Sequence, residues 1–171
     1  MANLEDLYRE IILDHYRAPR NRGELPVPPA HKYEGFNPLC GDEVILYLEV
    51  DDGAVSDVKI AGQGCSISQA SSSMMSSAVK GKPVAEARKL IRAFKALMSI
   101  HESKLEGDDA GGDGSGTDTP VPDPEVKLGD LEALQGVVKF PVRIKCATLS
   151  WNTLSQGLDE ASTSEAGASA T

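Results

Sequence analysis

Three cysteines in a chain of 171 residues, each beside a different structural signal, constrain the fold more than any other feature. Cys40 lies in the turn Asn37-Pro38-Leu39-Cys40-Gly41-Asp42, which sets a thiol and a carboxylate two residues apart just before a strand. Cys65 follows the glycine turn Gly62-Gln63-Gly64, and Cys146 falls in the first turns of an expected last helix. If the two distant cysteines fold back to the turn, three thiolates and one carboxylate make a complete ligand set for tetrahedral zinc. Three unrelated buried cysteines are the alternative, because free Cys also packs as a small hydrophobe. An odd count argues against a disulfide frame and for reduced thiols that serve a metal or a reaction.

The rest of the chain reads as a scaffold able to bring these turns together. Leu4, Leu7, Tyr8, Ile11 and Ile12 recur at helical spacing after a capping Asn3, so a helix is expected over 3–17, ending before Pro19. The proline-rich segment that follows suits neither helix nor central strand. Val44 to Val50 and Ala54 to Ile60 read as strands joined by the hairpin signal Asp51-Asp52-Gly53. A third strand is expected near 32–36. This hairpin puts Cys40 and Cys65 at one end, since one precedes its first strand and the other follows its second. Helices are expected from Ser66 to Lys80, from Pro83 to about Ser103, around Leu128 to Leu134, and from Pro141 through Leu158. Cys146 in the last of these would have its thiolate favoured by the helix N-terminus.

The net charge of −9 argues against nucleic acid as a partner, yet most of it is local. Glu106 to Glu125 holds seven acids and no Lys or Arg, which leaves −2 on the remainder. The largely overlapping segment at about 105–124 is expected to be a mobile acidic insertion in a single domain of residues 1–161, and 162–171 a disordered tail. The insertion reads either as a solvated loop or as a docking arm for a basic partner. No signal-peptide pattern opens the chain, and no apolar stretch approaches the roughly 20 residues of a membrane span, so the expected location is the cytoplasm with no membrane partner.

Several motifs together carry a family resemblance. Asp14-His15-Tyr16, Pro19-Arg20-Asn21, the Cys40 turn, Gly62-Gln63-Gly64-Cys65-Ser66-Ile67 and Arg143-Ile144-Lys145-Cys146-Ala147 resemble the SufU/IscU family of iron-sulfur cluster assembly proteins, related to the NifU N-terminal domain. Scaffolds of the IscU type have a His immediately before the last Cys, where this chain has Lys145, and SufU-type members carry an insertion ahead of that Cys. Both features place the resemblance on the SufU side. It implies an α+β fold, a small antiparallel sheet of about three strands packed against several helices. It also implies a zinc-dependent sulfurtransferase that takes persulfide sulfur from the cysteine desulfurase SufS and serves a downstream iron-sulfur assembly scaffold. The implied zinc ligands are Cys40, Asp42, Cys65 and Cys146, with Cys40 as the sulfur acceptor, released when a His of the desulfurase takes its place on the metal. An IscU-like scaffold holding a [2Fe-2S] cluster on the same ligands is the alternative, and a structural zinc protein that only docks is a third.

From the residues themselves, Cys40 is the natural mobile arm, because its turn is bounded by Pro and Gly while Cys146 is built into a helix. Asp42 is a harder, more exchangeable ligand than a fourth cysteine. Arg143, three residues before Cys146, either holds a persulfide or salt-bridges the desulfurase, or is a solvated side chain of the first turn. Lys145 is expected to be exposed. His15, His31 and His101 read as packed or surface histidines, Met74 and Met75 as core or contact residues, and Ser71-Ser72-Ser73 as helix surface.

Overall fold

The computed structural model describes residues 4–27, 29–38, 40–105 and 128–168. Helix α1 (Leu4–Arg17) leads to a three-stranded antiparallel sheet of β1 (His31–Asn37), β2 (Asp42–Asp51) and β3 (Ala54–Gln63), in the order β1-β2-β3. Helices α2 (Ser66–Val79) and α3 (Val84–Leu105) follow, then a 3-10 helix (Gly129–Lys139) and α4 (Pro141–Ala168). This is the expected α+β architecture.

The β2–β3 hairpin closes through Asp52 and Gly53, both left-handed at φ 54° and 74°, the backbone that a two-residue hairpin turn requires. Both strands are longer than their apolar runs. Asp42 pairs with Asn37 and belongs to β2, and Gly62 is not in a turn but pairs with Val44 inside the sheet. A Cβ at Gly62 would collide with the Glu43 carbonyl, so glycine serves close strand approach there. The segment after α1 guards the outer edge of β3: Gly23 N–H donates to Ile60 O at 3.0 Å, and Ile60 N–H to Asn21 O at 2.9 Å.

Helix α4 packs on β1 and β2, α2 on β3 and α4, and α1 on α2. The core runs through Leu46, Leu48, Val58, Ile60, Met75, Leu134 and Leu154, with Phe94 stacked on Trp151 at 4.5 Å between ring centroids. Because α2 has neighbours on several sides, Ser71, Ser72 and Ser73 are buried rather than on the surface. Their hydroxyls are matched to partners. Ser71 Oγ donates to Ala147 O (2.5 Å) and accepts from Trp151 Nε1 (3.1 Å), and Ser72 Oγ donates to Ser68 O (2.8 Å). Ser73 Oγ lies 2.8 Å from His15 Nδ1, and His15 Nε2 lies 3.0 Å from Asp130 Oδ2, so a buried histidine joins α1, α2 and the 3-10 helix.

Met74 and Met75 are core residues, and His31 is exposed. The segment around Leu131 is helical but wound as 3-10. Helix α4 continues to Ala168, so the tail expected to be disordered from Ser162 is helical that far: Glu165, Ala166 and Ala168 are helix-compatible and no proline intervenes. The acidic stretch 106–125 and residues 169–171 lie outside the described residues. Among the described residues, no helix is long and apolar enough to cross a membrane.

Candidate metal centre

Side chains alternate across a strand, and that period of two builds the site. On β2, Asp42 shares a face with Val44, Leu46 and Leu48, all buried, so its carboxylate points inward at the end of an apolar row. On β1, Tyr33 and Asn37 are likewise buried with Gly35 between them, on the face that meets α4. The chain then reverses between the two strands: Gly41 N–H donates to Asn37 O at 2.9 Å, and Gly41 takes φ 69°, which disfavours any residue with a Cβ. Cys40 sits at the tip of this reversal, partly exposed.

Cys40, Asp42 and Cys146 each offer a ligand atom, and these atoms all lie within 4.8 Å of one another. The Cys146 and Cys40 sulfurs are 3.4 Å apart. Cys65 is not part of that mutual group. It adjoins it through Asp42, whose Oδ2 is 3.9 Å from Cys65 Sγ and whose Oδ1 accepts the Cys65 N–H at 2.9 Å. Cys65 also caps α2, its Sγ accepting the Ser68 N–H at 3.4 Å. Gly64 makes room for this, since a Cβ there would stand 2.7 Å from Asp42 Oδ1. All three cysteines are free thiols.

The expected preference for a thiolate at Cys146 is reversed. Cys146 is the sixth residue of α4, beyond the unpaired N–H groups of the first turn, and it is fully buried. Burial pushes its thiol well above the ordinary value, and hydrogen bonds with Asp42 and Cys40 and the charge of Cys65 act in the same direction. A bound cation inverts this balance by taking the place of the proton. The donor set fits one: soft sulfur with one carboxylate oxygen suits zinc, and thiolates also suit iron-sulfur clusters.

Arg143 is exposed and faces the cluster. The hydrogen bond to Cys146 is the main cause that holds its guanidinium charged above its ordinary value, with the charges of Cys65, Cys146 and Cys40 adding to it. Lys145 is exposed, as expected. Asn37 is the participant with no role assigned from sequence: its Nδ2 lies 3.7 Å from Cys146 Sγ. The alternation Tyr33, Gly35, Asn37 was the available signal that it faces inward.

A small α+β domain that gathers thiols and a carboxylate from a turn, a strand and two helices has the donor set of a transition-metal site, drawn from segments far apart in sequence. The chain belongs to the NifU-like N terminal domain family, whose pattern matches residues 7–147. It is 43% identical over 157 residues to the zinc-dependent sulfurtransferase SufU of Bacillus subtilis, covering 92% of each chain. It is also 35% identical to the iron-sulfur cluster assembly scaffold protein IscU of Streptococcus pyogenes, over 92% of this chain and 86% of that one. Among solved structures, it resembles a putative iron-sulfur cluster assembly scaffold protein for the SUF system from Fervidobacterium islandicum, with TM-score 0.68 and 30% identity over 91% of this chain and 99% of that one. The chain is therefore a member of a family of iron-sulfur cluster assembly proteins.

Proposed function

We propose that this chain is a zinc-dependent sulfurtransferase that accepts persulfide sulfur from a SufS-type cysteine desulfurase for iron-sulfur cluster assembly. The convergence of Cys40, Asp42 and Cys146, with Cys65 held beside Asp42, is the observation that carries this reading. The likeness to a zinc-dependent sulfurtransferase over nearly the whole chain supports it. Zinc held by Cys40, Asp42, Cys65 and Cys146 supplies one thing, the deprotonation of thiols near neutral pH.

The protein's own residues do the rest. Cys40, partly exposed at the tip of its turn, is a thiol that a partner can reach; Cys65 is likewise partly exposed but its sulfur is engaged as the cap of α2, and Cys146 is sealed in the core. The Cys40 thiolate attacks the outer sulfur of the desulfurase persulfide, a new S–S bond forms on Cys40, and the donor's S–S bond breaks. The electron pair leaves with the desulfurase cysteine as its thiolate, so the exchange needs no outside oxidant or reductant. Arg143, cationic and turned toward the thiols, lies where it offsets the negative charge of an incoming persulfide.

With isotope-labelled cysteine as sulfur source, label should accumulate on Cys40 and vanish in Cys40→Ala. Label that persists at the same level in that variant would assign acceptance to another residue. The relation to IscU favours a second reading, a scaffold that assembles a [2Fe-2S] cluster on the same ligands. Anaerobic reconstitution that yields a visible-absorbing cluster, transferable to an apo-protein, would favour it over the transferase.

A further inference from the structure

Cys146 poses an electrostatic problem that the metal ligands alone do not solve. Its sulfur has no water to turn to, because the residue is fully buried, and coordination requires it to be a thiolate. A buried anion is tolerated where N–H donors meet it. Among the described residues, two side-chain donors converge on this sulfur. Arg143 approaches from the exposed side, and the amide of Asn37 reaches it from within at 3.7 Å. Its other neighbours, Cys40 Sγ at 3.4 Å, the Val142 carbonyl at 3.9 Å and the Asp42 carboxylate, offer a thiolate no N–H.

The same pattern holds elsewhere around the cluster: Asp42 accepts the Cys65 N–H and Cys65 accepts the Ser68 N–H. Asn37 is 5% exposed, it ends the strand on which α4 rests, and its own carbonyl closes the Cys40 turn through Gly41. Backbone and side chain of one residue thus tie the Cys40 turn to the buried ligand. We propose that Asn37 is a positioning residue of the metal centre, its side-chain amide donating to the Cys146 thiolate and keeping that sulfur as the anchored ligand while exchange occurs at Cys40. This rests on the metal-centre reading above, and it adds a residue outside the ligand set whose contribution is separable from the turn it closes.

The test uses nitrogen-15-labelled full-length protein loaded with cadmium-113 as the metal probe. Scalar coupling from the metal to the Cys146 Hβ protons reports ligation, and coupling through sulfur to an Asn37 Nδ2 proton reports the N–H···S bond. Both couplings are expected. Coupling to Cys146 without coupling to Asn37 would overturn this inference and leave the metal centre standing, whereas absence of both would overturn the two together. In parallel, Asn37→Leu keeps the backbone acceptor for Gly41 but removes the donor. Its zinc affinity, measured by chelator competition, should fall about 10–100-fold, more than any stability lost by the zinc-stripped protein accounts for. Unaltered affinity in a folded variant would contradict the role.

Discussion

The proton on Cys146 is where burial and metal compete most directly. Without a cation the buried thiol keeps its proton, because Asp42, Cys40 and Cys65 surround it with acceptors and negative charge. Its folded-state pKa lies above the ordinary 9.0, so below that pH folded and unfolded chains both hold the proton and no stability is lost. As pH rises past it, the unfolded chain releases the proton while the folded chain retains it, and stability falls. For zinc-stripped protein, unfolding between about pH 8.5 and 10.5 should show stability declining with a slope from this proton of at most about 1.4 kcal/mol per pH unit. Cys146→Ser should have a shallower decline, since a serine hydroxyl does not titrate there. Equal slopes in the two proteins would contradict the burial argument. The cysteines themselves were legible in the sequence, because ligand chemistry is local to the residue. The protonation preference was not, since it depends on how deep α4 carries Cys146 into the core.

At the scale of elements, the site depends on how closely α4 lies on β1. Gly35 makes that approach possible: a Cβ there would run into Thr153 Oγ1 and stand 3.2 Å from Leu149 Cδ1. Gly35→Ala should push α4 off the strand, costing about 1–3 kcal/mol by denaturant unfolding. It should also weaken zinc binding, because Cys146 moves with the helix. A variant with unchanged stability and unchanged affinity would show that the contact is not a constraint. The hairpin was legible because Asp51-Asp52-Gly53 fixes its turn locally, and α1 and α3 because their apolar spacing is helical. The surroundings of α2 were not legible. Its serines look like a solvent face, yet Ser71 and Ser73 are satisfied in the interior by partners far away in sequence, Ala147, Trp151 and His15. Asn37 escaped for the same reason, since its amide finds its partner 109 residues later.

On the scale of the whole molecule, the sheet, α2 and α4 each deliver part of one cluster, so a metal there would add a further tie between segments already joined by packing and a few hydrogen bonds. The architecture followed from strand and helix patterns and from the resemblance, which also implied that Cys40, Asp42, Cys65 and Cys146 share a site; that Cys40, Asp42 and Cys146 form the mutual group, with Cys65 beside Asp42, is visible only with the chain folded. That convergence, on a domain this similar to a sulfurtransferase, is the basis for proposing that this chain accepts sulfur. The direct measurement is cysteine turnover by a SufS-type desulfurase, in the presence of reductant, as zinc-loaded and iron-free protein is added. Turnover should rise, saturate with protein, and return to the unstimulated rate with Cys40→Ala. No rise with the intact chain, or a rise that survives Cys40→Ala, would contradict the account.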